Sequence, residues 1–178
     1  MMQTMTGWLL LATAAAFLPA TGGLDAKRDT LSTAHSFLKK AAEGQQAEIE
    51  MGRLASQRAG AEQVKQFGAQ MMEDHQKASK EIQLLASKEG VVLPTELTGK
   101  HKDKREEFGQ LSGDAFDRAY IRHMLRDHQK DVKEFERHAK AIKDPSVQRW
   151  AEGTLPLLKQ HLQTAQRIAS SIGVEGVR

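Results

Sequence analysis

The 178-residue chain has no cysteine. A thiol nucleophile is therefore excluded, and so is lipid anchoring through a cysteine after a signal cleavage site. A thiol-free composition suits an oxidising compartment. Aromatic residues are scarce, at 5%, and charge of one sign is never concentrated. The 26 Lys and Arg are interspersed with 23 Asp and Glu, as in Lys102-Asp103-Lys104-Arg105-Glu106-Glu107. Nucleic-acid binding needs a basic stripe or stacking aromatics, so a mixed, solvated helix surface is the better expectation. No Ser-His-Asp arrangement or glycine-rich phosphate loop appears, which leaves hydrolase and nucleotide chemistry without a foothold. Period-two alternation is also missing, so a sheet-built domain has no support.

Long apolar runs are absent except at the start. Trp8 to Leu18 is rich in Leu and Ala, Pro19-Ala20-Thr21-Gly22-Gly23 follows, and no charge precedes Asp25. The run is too short to span a bilayer comfortably, and small residues after it match a signal-peptidase site. Residues 1–23 are therefore expected to be a signal peptide, cleaved near Ala20 or Gly23. The segment before Trp8 lacks the usual Lys or Arg, and the competing arrangement is an uncleaved anchor or a buried terminal helix. Export predicts a periplasmic or secreted mature chain with no membrane span. Residues 24–31 are expected to be a linker, 32–173 the folded domain and 174–178 a tail.

Four long segments carry helical periodicity. The first runs from about Thr33 to Arg58, with Ser32 as N-cap and the inward stripe Phe37, Ala41, Gln45, Glu48, Gly52, Ala55. The second runs from about Ala61 to Glu89, with Val64, Phe67, Met71, His75, Ala78, Ile82 inward, and stops at Gly90. A charged connector to Gly113 is long enough for a short helix. The third long helix opens near Asp114 with Phe116, Tyr120, Met124, His128, Val132, Phe135 inward, and Asp144-Pro145 breaks it. The fourth carries Val147, Trp150, Thr154, Leu158, His161, Ala165, Ile168, with Pro156 removing one backbone bond. The expected architecture is all-α: an up-down-up-down four-helix bundle with a short connector helix between two hairpins.

Polar residues on an apolar stripe are the informative exceptions, because burying them unpaired costs about 1–3 kcal/mol each. Four occur, one per helix: Glu48, His75, His128 and His161. If the turns near Gly60 and Asp144 share one end of the bundle, the histidines stand 15, 16 and 17 positions from them and Glu48 stands 12. At about 1.5 Å per residue the three rings fall within one half-turn of each other. Gln45 lies nearer the histidine level than Glu48. Three imidazoles with a carboxylate nearby make a site for one divalent transition metal, Zn, Cu, Fe or Ni. Asp74 and Asp127 precede two of the histidines but lie about 100° round the helix, which argues against their pairing with them. His123 is expected on a solvated face. The competing account is a closed hydrogen-bond network that needs no ligand.

Several runs in this chain also resemble a known group. They are Phe37-Leu38-Lys39-Lys40-Ala41-Ala42-Glu43-Gly44, Ala47-Glu48-Ile49-Glu50-Met51-Gly52-Arg53-Leu54-Ala55, Val64-Lys65-Gln66-Phe67-Gly68, and Asp74-His75. Phe116-Asp117-Arg118-Ala119-Tyr120, His128 and Leu155-Pro156-Leu157-Leu158-Lys159-Gln160-His161-Leu162 complete the set. Together they resemble domain of unknown function 4142, a secreted bacterial family also labelled "predicted outer membrane protein". The resemblance implies a ferritin-like helical fold, export, and recurrent polar positions at Glu48, Asp74, His75, His128 and His161. A di-iron centre would need Glu three residues before His on two helices, and no histidine here has that. The first expectation is thus an exported bundle with a mononuclear His-rich metal site, in storage, buffering or sensing. The second is an envelope or stress-related interaction module with a structural histidine network, and the third a metallo-redox enzyme.

Overall fold

The computed structural model describes residues 22–97 and 99–174. Five helices account for most of them: α1 Gly22–Arg58, α2 Glu62–Lys88, α3 Gly99–Gly109, α4 Gly113–Ala141 and α5 Pro145–Ser171. Among the described residues there is no strand, only an isolated bridge between Ala59 and Gly113. The fold is all-α, with four long helices and one short helix in the connector.

Most boundaries follow from local chemistry. Gly90, at φ 67°, takes the left-handed conformation that ends α2. Asp144 caps α5, its Oδ1 accepting from the N–H groups of Ser146 and Val147 at 2.9 and 3.0 Å, with Pro145 in the first turn. Helix α5 then runs through Pro156 without a break. The start of α1 differs from expectation. It begins at Gly22 rather than near Thr33, so residues 24–31 are helix rather than linker. That stretch holds neither Gly nor Pro, and Ser32 is a good cap but only a mild interruption. The expected signal segment lies outside the described residues except for its last two, and the expected tail lies outside except for Val174.

The larger correction concerns direction. The Gly60 turn lies against the start of α4: Asp117 accepts from Gly60 N and Ala61 N at 3.0 and 2.7 Å. The α4–α5 turn lies at the other end, where Ile142 and Val147 pack with Ala34, Leu38 and Ala86. The two turns are therefore at opposite ends, and α4 runs parallel to α2, not antiparallel to it as up-down-up-down order requires. The connector, including α3, carries the chain back along the molecule instead of merely bridging neighbouring helix ends. Helix α3 buries only Phe108, against Phe116 and His123.

The core divides into two apolar clusters. One surrounds Phe67, Met71, Phe116, Tyr120 and Ile168 at the Gly60 end; the other surrounds Phe37, Leu38, Ile82, Phe135 and Val147 at the far end. Between them, on every long helix, the apolar sequence is interrupted by the same buried polar layer: Gln45 and Glu48, His75, His128, His161.

Candidate metal centre

The layer depends on how closely the helices approach. Gly52 of α1 and Gly68 of α2 sit face to face: a Cβ on Gly52 would lie 2.6 Å from the Gly68 carbonyl oxygen, and one on Gly68 2.4 Å from Ala55 Cβ. No side chain fits there, so α1 and α2 run almost in backbone contact. Gln45 and His75, each fifteen positions from Gly60, consequently meet, and Gln45 Oε1 accepts from His75 Nδ1 at 2.7 Å.

The other two rings are held in the same way. His128 Nδ1 donates to the Met124 carbonyl oxygen at 3.1 Å, one turn back on α4. His161 Nε2 donates to Asp74 Oδ2 at 3.0 Å, from α5 across to α2. Each ring thus uses one nitrogen as a donor and keeps the other as a bare lone pair. Those remaining atoms, His75 Nε2, His128 Nε2 and His161 Nδ1, are buried and have no hydrogen-bond partner. The ring centroids form a near-equilateral triangle with sides of 6.0, 5.3 and 5.4 Å. One ring nitrogen from each of the three residues lies within 4.8 Å of the others.

Electrostatics keep these rings neutral. Burial pushes His75 well below the ordinary histidine value, and repulsion from His128 and His161 adds to it. His128 is held down to about 3, by burial first and by His161 next. His161 is lowered by burial, against the opposing pull of Asp74. A neutral imidazole is the form that binds metal, so protons do not compete for the lone pairs near pH 7.

Glu48 is buried beside this triangle but is not part of the group within 4.8 Å. Burial, then repulsion from Asp127 and Asp131, raises its carboxyl well above the usual range, and its Oε2 also lacks a partner. It lines a cavity of about 150 Å³ that His75 borders from the core and Asp127, Asp131 and His101 border from outside. Tyr120 is fully buried with its hydroxyl unpaired, stacked on Phe116. Tyr120 and Met124 belong to the apolar cluster rather than to the cavity wall.

Asp74 is the neighbour of the three rings that helical spacing alone missed. The 100° offset that turns it away from His75 turns it toward α5, where it meets His161. Its only sequence signal was the family pattern. His123, expected on a solvated face, is mostly covered, packed on Phe108 with Nε2 3.5 Å from Asp127 Oδ2. His35 and His138 lie away from the centre, His138 stacking on Phe37.

Comparison with known proteins fits this picture at the level of fold. The model of DUF4142, a domain of unknown function, matches residues 20–168. No curated protein matches the sequence. Among solved structures the chain is similar to a DUF305 protein from Streptomyces coelicolor, described as secreted, with 12% identity and a TM-score of 0.67. The match covers 84% of this chain and 97% of that one, and at such low identity it speaks for the helical fold alone. The chain belongs to the DUF4142 family.

Proposed function

We propose that this DUF4142 member is an exported, ferritin-like helical bundle that holds one divalent transition-metal ion on His75, His128 and His161. The set of unpaired nitrogens carries this reading. A closed structural network would pair the imidazoles with each other or with neighbours on both sides. Here each ring is anchored on one side only, by Gln45, the Met124 carbonyl or Asp74. Outer anchoring with a free inner nitrogen is the pattern that orients metal-ligating histidines.

The donor set fits such an ion. Around a tetrahedral ion with bonds of about 2.0–2.1 Å, ligand nitrogens stand roughly 3.3 Å apart. Nitrogens already within 4.8 Å need only small side-chain movements to close on it. Zn, Cu, Fe and Ni all accept imidazole, whereas the missing Glu-x-x-His steps disfavour a di-iron centre. Losing its proton as the ion binds, Glu48 supplies a compensating negative charge, and water or Glu48 completes the coordination. A buried three-histidine site with no catalytic triad suits storage, buffering or sensing of the metal. The connector that returns along the bundle supports the ferritin-like reading, since such folds have one long crossover.

The test is elemental analysis and calorimetry of the purified chain with Zn, Cu, Ni and ferrous ions. One equivalent bound by the wild type, and none by His75→Ala or His128→Ala, is the expected result. Absence of uptake, or uptake indifferent to both substitutions, overturns the reading.

A further inference from the structure

We infer that the cavity between α1 and α4 is a transit site for a hydrated divalent cation, lined by the carboxylates of Glu48, Asp127 and Asp131. Through it the ion reaches the histidines, so the inference rests on the metal-binding reading above. The cavity spans the distance from core to surface: His75 and Glu48 border it inside, and Asp127 and Asp131 border it outside. At about 150 Å³ it has room for several waters at roughly 30 Å³ each, and so for an ion that keeps part of its hydration shell.

Its charge pattern favours a cation. Asp127 and Asp131 stand one turn apart on α4, where like charges repel, and Glu48 faces them from α1. Burial, then repulsion from Asp127 and Glu134, lifts the Asp131 carboxyl to about 6 against the pull of Lys130 and Lys40. Five carboxylates, those of Glu43, Glu48, Asp127, Asp131 and Glu134, line the cavity against the three ammonium groups of Lys40, Lys100 and Lys130. Lys40 is held by Glu134 at 2.7 Å, and Lys100 and Lys130 are exposed. Beyond its charge, Glu48 lines the cavity at only 5% exposure, and its buried Oε2 has no hydrogen-bond partner. A cation satisfies that atom and relieves the repulsion at once. Oxygen donors hold a hydrated ion loosely, whereas three imidazoles farther in bind transition metals more tightly, so the gradient runs inward.

Gly44 leaves a notch in the wall of the passage, where an added Cβ would meet nothing within 4 Å. It therefore offers a plug that leaves every charge in place. The experiment is stopped-flow absorbance of Co²⁺ uptake by the full chain, followed in the ligand-field bands. Variants are Asp127→Asn with Asp131→Asn, and separately Gly44→Leu. Both are expected to slow association about tenfold and dissociation equally, with the final spectrum and affinity unchanged. Unchanged rates in both variants overturn the passage while leaving the histidine site standing. A loss of affinity at unchanged association rate also overturns it, because the carboxylates are then ligands rather than a route. If wild-type protein develops no cobalt bands, the histidine site itself fails and the passage falls with it.

Discussion

His75 and Gln45 stand at equal distances from Gly60, and that symmetry made their meeting legible from sequence. The three-histidine triangle was legible for the same reason, each ring being a polar exception on an apolar stripe. Asp74 was not, because periodicity indicates which face a residue occupies and not which neighbouring helix covers that face. Its role gives a residue-scale prediction. Asp74→Ala removes the acceptor that orients His161, and metal affinity is expected to fall about 10–100-fold with stoichiometry unchanged. A competition titration measures it, and an unaltered affinity contradicts the assignment. The buried rings also predict a pH dependence. Their folded values lie below the ordinary one, so the unfolded chain takes up protons first once pH drops below about 6.5. Each ring then removes about 1.4 kcal/mol of stability per pH unit until its own folded value is reached. Glu48 and Asp131, raised above their ordinary values, act in the opposite sense, since the folded state protonates first. Metal-free Glu48→Gln protein, relieved of one opposing shift, is therefore expected to be less stable at pH 5 than at pH 7 in urea unfolding. Equal stability at the two pH values shows that the rings are not buried neutral.

At the scale of elements, the four long helices and their inward faces could be read from the sequence, but their directions could not. Helical spacing says nothing about whether the connector between Lys88 and Gly113 bridges neighbouring ends or returns along the bundle. The histidine level survived that error because His128 lies near the middle of α4, about equally far from either end. The glycine contact was equally silent, since Gly52 on a stripe reads as a small core residue until its partner Gly68 is seen. Gly68→Ala forces its new Cβ against Ala55 and the Gly52 carbonyl. A loss of about 1–3 kcal/mol is expected, as for other overpacked contacts, with weaker metal binding as Gln45 and His75 are pushed apart. Wild-type stability in that variant contradicts the close approach. Asp117 tests the other junction. Asp117→Ala strands the Gly60 and Ala61 N–H groups and is expected to cost about 1–3 kcal/mol by chemical denaturation, without altering metal stoichiometry.

For the whole molecule, two apolar clusters stabilise the ends while the polar layer between them leaves buried lone pairs unmatched. A ligand for that layer couples all four long helices at once. Metal at about a hundredfold over its Kd is expected to add about 2.7 kcal/mol, raising Tm by roughly 5–10 °C, and chelation reverses the shift. Such a coupling suits the metal-holding role proposed above. X-ray absorption at the metal edge of the loaded chain addresses the central claim most directly. The account predicts three imidazole nitrogens at about 2.0–2.1 Å in the wild type, falling to two in His161→Ala protein if metal is retained. An oxygen-only shell, or one unchanged by that substitution, contradicts it.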